Sequence, residues 1–529
     1  MKMLRTLGIF FLLLLATCLF ANAAPDGAIP IVQGDGEIGK LDWIVIVGYF
    51  AGMLGIGWFY SRETETTDDF FLGGRGMGAW MVGLSLFATL LSTASYIAFP
   101  GEAIRYGPMI LMGTVFSIPP ILWIVNGFLI PKFMKLQVTS ANELLEIRLG
   151  LSIRLLGTVF FLLLRLVWMA MIIYITVKAV LVPVLGLDAA SQPVASLILG
   201  AITVIYTSSG GYKAVVLTDV IQTVIMFFGA LLSIGVITYS LGGFGWFPTT
   251  WNPSWDPMSF GFDPSARVSL GTSTLMCFLW YVCTSGSDQM AVQRFLSTKD
   301  VKTARRAFTI SLLAGVALLV LLTLLGFALL AFYETNRHQL PPGTDIQAAA
   351  DTLFTSFIVG SLPPGVTGLI VAALLSAAMS SLSSGLNSSC TIITVDLFDR
   401  LDPKHLSPAN ELSRARRISW IVGIIITLIS LGVGWIPGNL NEILNKVGNL
   451  LVAPLFLLFF MALFVRRATV LGTWLGAVAS VAAAIAISFF EIFGLSFTWI
   501  LPGSLAVGLL VGVGASLAIP TGEAKPTAE

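Results

Sequence analysis

Gly83–Pro100 reads G-L-S-L-F-A-T-L-L-S-T-A-S-Y-I-A-F-P. It lies inside one of many apolar segments, yet Thr89, Ser92, Thr93 and Ser95 sit in its middle, and it ends in Pro100-Gly101. Proline lacks a backbone donor and crowds the preceding turn, so a regular helix is expected to stop there. A polar, interrupted helix at membrane depth is costly unless it lines a cavity or binds something. The stretch is expected to form one wall of a transport site.

Working outward, the composition fixes the class. Of 529 residues, 56% are hydrophobic and 11% charged, against about 25% charged in soluble domains. The apolar runs reach the roughly 20 residues a membrane helix needs. The fold class is an all-α polytopic membrane protein. A formal net charge of +1 offers no footprint for nucleic acid. Cys18, Cys277, Cys283 and Cys390 all lie in apolar stretches, where cysteine packs as a small hydrophobe. His338 and His405 lie in loops, which excludes histidine-based metal or triad chemistry inside the membrane. There is no G-x-x-x-x-G-K-[ST] motif and no room between spans for an ATPase, kinase or receptor module. Transport driven by something other than nucleotide hydrolysis is expected.

Residues 1–23 carry Lys2 and Arg5, an apolar run Leu7–Phe20, and Ala21-Asn22-Ala23, the pattern of a secretory signal peptide. An uncleaved extra span is the alternative. About thirteen spans follow, near 41–60, 79–100, 108–131, 153–183, 189–207, 211–240, 269–290, 305–333, 364–394, 415–436, 446–465, 468–490 and 495–518, then a polar tail over 519–529. This count puts Arg75, Lys132, Arg148, Arg154, Lys213, Arg294, Arg305, Arg306, Arg400, Arg414 and Arg466 in cytoplasmic connections. It leaves Lys40, Arg105, Arg267 and Arg337 outside. Lysine and arginine concentrate on the cytoplasmic side of membrane proteins. The expected location is the plasma (inner) membrane, with the N-terminus external and the C-terminus cytoplasmic.

Three groups of polar residues fall at membrane depth. Asp219 lies about nine residues into its span, roughly 13 Å along a helix; a carboxylate there is a functional-site candidate, with a structural hydrogen bond as the alternative. Ser376, Ser380, Ser381, Ser383, Ser384, Ser388 and Ser389 crowd the ninth span. Ala377, Ser380, Ser381, Ser384 and Ser388 recur at spacings of three and four, so they share one helical face. Small residues also serve close packing, but glycine and alanine would do that equally well. Hydroxyls and carbonyls suit a hard monovalent cation, and one carboxylate can balance its charge. Arg165, with Trp168 one turn later, could meet a substrate carboxylate, pair with a structural acid or snorkel.

Several blocks together resemble the sodium/solute symporter family over essentially the whole length after the signal segment. They are D-D-F-F-L-G-G at Asp68–Gly74, the opening stretch itself, G-G-Y-K-A-V at 210–215 with T-D-V-I-Q at 218–222, Asp288-Gln289 with Gln293-Arg294, and M-S-S-L-S-S-G-L-N-S within Gly368–Asp396. The resemblance implies a LeuT-like 5+5 inverted repeat, over 79–240 and 269–465, with broken helices at spans two and seven. Span 41–60 and two spans over 468–518 would be peripheral. It implies sodium as the co-transported ion, held by backbone oxygens of Ala88, Leu91 and Ala377 and hydroxyls of Ser380 and Ser381. A second sodium would fall on Asp219, Ser380, Ser381, Ser383 and Ser384. The substrate cavity would be lined by Ser92, Ser95, Tyr96, Thr114, Trp168, Tyr281 and Thr284, with Arg165 beside them.

Ser95 stands where the family's sugar carriers have glutamine, and Thr284 where they have a gating tyrosine. The S-L-F-A-T-L-L-S and P-G-E-A-I-R-Y-G runs look more like the branch carrying anions, monocarboxylates and sialic acid. The expected function is a sodium-coupled symporter for a small polar or anionic organic solute. The alternatives are a sodium/sugar symporter, a proton-coupled carrier and a transporter-like sensor. An enzyme is not expected, since Asp219 and Arg165 are too sparse a set of titratable groups.

Overall fold

A backbone crossing lipid must satisfy its own N–H and C=O groups, so helices are the natural solution. The computed structural model describes residues 38–136, 138–263, 266–401, 407–433, 448–490 and 492–518. In chain order the main helices are α1 (Lys40–Ser61), α2 (Ala79–Leu90), α3 (Thr93–Tyr106), α4 (Met109–Lys135), α5 (Leu151–Val184), α6 (Gln192–Ser240), α7 (Leu270–Ser287), α8 (Gln289–Leu296), α9 (Val301–Thr335) and α10 (Ala350–Gly360). Then come α11 (Val366–Leu401), α12 (Pro408–Gly432), α13 (Gly448–Phe464), α14 (Val470–Phe490) and α15 (Ile500–Ala518). The expected signal segment 1–23, Cys18, His405 and the tail 519–529 lie outside the described residues. Cys277, Cys283 and Cys390 are free thiols.

Length and hydropathy alone pick out nine crossing helices among the described residues, or ten if α2 and α3 form one broken span. The expected count of thirteen is higher for identifiable reasons. At 49 residues, α6 would be about 74 Å long if straight, more than twice the hydrocarbon thickness. It instead turns at Gly211, whose φ of 61° and ψ of −161° are open essentially only to glycine. The expected division between 189–207 and 211–240 falls at this turn. Hydroxyl-rich α7 and short α13 also miss the criterion.

The break in the opening stretch is not where proline suggested. α3 runs through Pro100 to Tyr106, while the chain bends by 69° between α2 and α3. Leu91 (φ −102°, ψ 130°) and Ser92 (φ −117°, ψ 166°) are both extended there. A proline late in a packed membrane helix is tolerated when neighbours compensate. The carbonyls freed at Leu91 are satisfied from another helix, described below. A second break lies between α7 and α8, where Asp288 alone is extended (φ −82°, ψ 122°).

α11 is the axis of the bundle: every residue of Val366–Ile392 is buried. It packs tightly on α6, where a Cβ at Gly229 would come within 2.5 Å of the Ala373 methyl. Its N-terminus is anchored to α1 by Asp42, whose Oδ1 accepts the N–H groups of Gly365 at 2.7 Å and Gly368 at 2.6 Å. A carboxylate there satisfies orphan donors and complements the helix dipole.

Candidate functional site

The serine face of α11 points at the break between α2 and α3. Ser380 Oγ donates to the carbonyl of Ala88 at 2.9 Å and to that of Ala377 at 3.3 Å. Ser381 Oγ donates to the carbonyls of Leu91 at 2.7 Å and Thr89 at 3.1 Å. The five oxygens that the family resemblance implied for one cation are gathered here, with the Thr89 carbonyl as an addition. All five residues except Leu91 are buried, and Leu91 is partly buried. Two hydroxyls and converging carbonyls, with no competing side-chain charge, form an oxygen set suited to a hard monovalent cation. An ion there would replace the hydroxyl donors now holding those carbonyls.

Asp219 lies one helix away on α6, fully buried. Its Oδ2 accepts from Ser85 at 2.6 Å, Ser384 at 3.3 Å and Arg294 Nη2 at 3.2 Å. Its Oδ1 has no partner among the described residues. Ser384 bonds Thr89 Oγ1 at 2.8 Å, so this group touches the first one. Ser383 Oγ donates to the Ser380 carbonyl at 3.1 Å. An unpartnered carboxylate oxygen beside hydroxyls is an acceptor surplus, the condition a cation would relieve.

Arg294 was expected in a cytoplasmic connection; it is 1% exposed. The break at Asp288 sends α8 into the bundle, where all eight of its residues are buried. Besides Asp219, Arg294 bonds Ser85 at 3.2 Å, the Met290 carbonyl at 3.0 Å and Ser384. The arginine cancels the charge of Asp219 when no ion is bound.

Above the first group lies a cavity of about 830 Å³, within the size range of ligand pockets. Six of the eight expected substrate residues line it: Ser95, Thr114, Arg165, Trp168, Tyr281 and Thr284. Thr89 and Leu91 line it as well, so cavity and cation group share a wall. Ser92 and Tyr96 do not line it. Ser92 caps α3, its Oγ accepting from Ser95 N at 3.4 Å. Tyr96 sits on the same face one turn on and donates to the Met226 carbonyl of α6 at 2.7 Å. The 69° bend turns that face into the bundle and leaves Ser95 toward the cavity.

Of the three alternatives for Arg165, the pair with an acid is present, to Asp288 at the α7–α8 break, and the residue also lines the cavity. Sequence reasoning had quoted Asp288 only as part of a motif. It also missed the mouth, where Arg267 makes a two-pronged pair with Glu102 (both contacts 2.7 Å) and lies 3.4 Å over the Tyr106 ring. Arg105 stands 3.6 Å from Asp351 there. The only sequence signal for these groups was their grouping in the connections assigned outside.

The opposite end of α11 is closed. Gln293 Nε2 bonds the Phe71 carbonyl, Asn387 at 2.8 Å and Thr391 at 3.2 Å. Beyond it, buried Asp396 accepts from Arg154 (2.7 and 3.0 Å), Asn142 (2.9 Å), Thr158 (2.9 Å) and Ser140 (3.0 Å). Glu146 joins from the surface; hydrogen bonding from Arg400, with Arg154 assisting against the effect of burial, holds its carboxyl below the usual range. The site is open at one end and tied shut at the other.

The model of the sodium:solute symporter family matches residues 70–480. The sodium/sialic acid symporter SiaT of Proteus mirabilis (strain HI4320) is 31% identical over 468 residues, covering 85% of this chain and 90% of that protein. The sodium/sialic acid symporter NanT of Aliivibrio fischeri (strain ATCC 700601 / ES114) is 29% identical over 464 residues, covering 84% and 87%. A solved structure of a Na+-coupled sialic acid symporter, substrate-bound and outward-open, superposes with a TM-score of 0.79 at 28% identity. It covers 92% of this chain and 99% of that one.

Proposed function

The chain belongs to the sodium:solute symporter family, and from that premise we propose that it imports a carboxylate-bearing solute, a sialic acid foremost, together with sodium. It is a multi-pass membrane transporter and not an enzyme. Sodium is cargo, bound for one cycle and released. The observation that carries the proposal is the α11 serine pair reaching carbonyls at the α2–α3 break, directly beneath a cavity walled by Arg165. The finer architecture proposed with it is thirteen spans, repeats over 79–240 and 269–465, and a cytoplasmic C-terminus. The cavity mouth then faces outside.

Sodium at Ala88, Leu91, Ala377, Ser380 and Ser381 would tie α2 to α11 and order the wall carrying Ser95. The carboxylate would meet Arg165, with Thr114, Trp168, Tyr281 and Thr284 holding the rest of the solute. A cavity of about 830 Å³ is generous for a two- or three-carbon acid and suits a nine-carbon one. Ser95 and Thr284 depart from the sugar carriers, which weighs against hexoses.

Charge favours a second sodium at Asp219, Ser383 and Ser384. One sodium with one anion moves no net charge, so a tenfold sodium gradient supports about tenfold accumulation. A second sodium adds that factor again and one net charge, about 2.3 kcal/mol per 100 mV. Together these support roughly several thousandfold accumulation. A thermal-shift screen of the purified protein across sialic acid, hexoses, pyruvate, amino acids and inorganic anions tests the proposal. Stabilisation by sialic acid in sodium but not in potassium is expected. Sodium-independent stabilisation, or stabilisation by hexoses alone, would overturn it.

A further inference from the structure

Arg165 and Asp288 stand on the border between the cavity and the second helix break. Arg165 lines the cavity and Asp288 does not. Asp288 is 2% exposed, and both of its oxygens are engaged. Oδ1 accepts the Met290 N–H at 2.8 Å and caps α8, while Oδ2 faces Arg165 Nη2. The guanidinium is not saturated, since its Nε is buried without a partner among the described residues. Arginine holds a carboxylate best with two parallel N–H donors. An incoming carboxylate that took Nε together with Nη2 would claim the donor Asp288 now holds.

We propose that Asp288 is a displaceable counter-ion: the solute carboxylate takes Arg165 from it on binding, and Asp288 reclaims the arginine on release. The proposal rests on the carboxylate reading above. Its first consequence is electrostatic. The empty site keeps Arg165 neutralised, which a buried guanidinium requires; with solute bound, Asp288 keeps its charge and the Met290 N–H, a cost that limits affinity and drives the return. Its second is mechanical. Asp288 is the single extended residue joining α7 to α8, so an exchange at Arg165 on α5 changes what holds the second break. A neutral solute has no group to make the exchange, so the pair sets a charge requirement. Arg294 does not line the cavity, so the Asp219 pair is not open to the same competitor.

The test compares full-length wild type, Asp288→Asn and Arg165→Lys in proteoliposomes at saturating sodium, with radiolabelled sialic acid as the probe. Asparagine keeps the capping acceptor but no longer competes as a charge. Asp288→Asn is expected to lower the half-saturating concentration about tenfold and to lower maximal uptake, because nothing displaces the anion at release. A residue that only capped α8 would weaken binding when changed. An unchanged or higher half-saturation in Asp288→Asn therefore overturns the proposal. Arg165→Lys separates the two ideas. If it leaves half-saturation unchanged, the carboxylate reading itself fails. If it weakens uptake while Asp288→Asn has no effect, only the counter-ion role fails. Should Asp288→Asn not insert, Asp288→Ser also keeps a capping acceptor without the charge. By calorimetric titration it is expected to bind sialic acid about tenfold tighter than wild type, and an unchanged or weaker affinity overturns the assignment.

Discussion

Two of the buried acid–arginine pairs among the described residues lie at the α2–α3 and α7–α8 breaks, and they differ in what surrounds them. Asp219–Arg294 is walled in by Ser85, Ser384 and Thr89, with a carboxylate oxygen left over. Asp288–Arg165 borders the cavity, with an arginine N–H left over. The surplus acceptor suits a cation and the surplus donor an anion. The same ion-pair chemistry would thus suit opposite ligand charges because the unpaired atom differs. Each pair is neutral when empty, which avoids the several kcal/mol that an isolated buried charge costs.

Breaking the cation side has the largest expected effect. Ser380→Ala with Ser381→Ala should abolish sodium-driven uptake while membrane insertion stays normal; wild-type uptake would refute cation binding at the α2–α11 contact. On the anion side, Arg165→Lys loses the planar two-donor fork and should raise half-saturation for sialic acid about 30- to 100-fold. Equal effects on acid and methyl ester would show that Arg165 does not sort by charge. Asp219→Asn should lower the Hill coefficient for sodium from near two toward one, and an unchanged coefficient would make this pair purely structural. Ser85→Ala removes the hydrogen bond donated to Asp219 and the one accepted from Arg294, while the two charges still hold each other, so the net loss is about 1.5 kcal/mol or less. It should shift sodium affinity about tenfold or less, with no change in affinity for sialic acid at saturating sodium.

Much of the cation group was legible in the sequence. The three-and-four spacing from Ala377 to Ser388 named one face of α11, and the polar middle of Gly83–Pro100 marked a second wall; that the two meet was only what the family resemblance implied. Both signals are local, and the helical repeat makes them readable. The arginine of the Asp219 pair was not legible. Arg294 opens a run of basic residues through Arg306, so charge counting placed it in a cytoplasmic connection. Only the break at Asp288 carries it inward, and neither proline nor glycine marks that residue. Tyr96 failed for a related reason. Its place on a helix face follows from sequence, but the direction that face takes depends on a 69° bend. Pro100 misled in the opposite way, as the strongest local breaker in a helix that tertiary packing keeps intact.

The central claim is that sodium drives a carboxylate-bearing solute through this protein. Its most direct test is sialic acid accumulation in proteoliposomes under an imposed inward sodium gradient. The same vesicles are compared with potassium in place of sodium and an inward proton gradient. Accumulation above the external concentration only with the sodium gradient, collapsing when sodium is equalised, is the expected result. Equal accumulation under the proton gradient without sodium would contradict it.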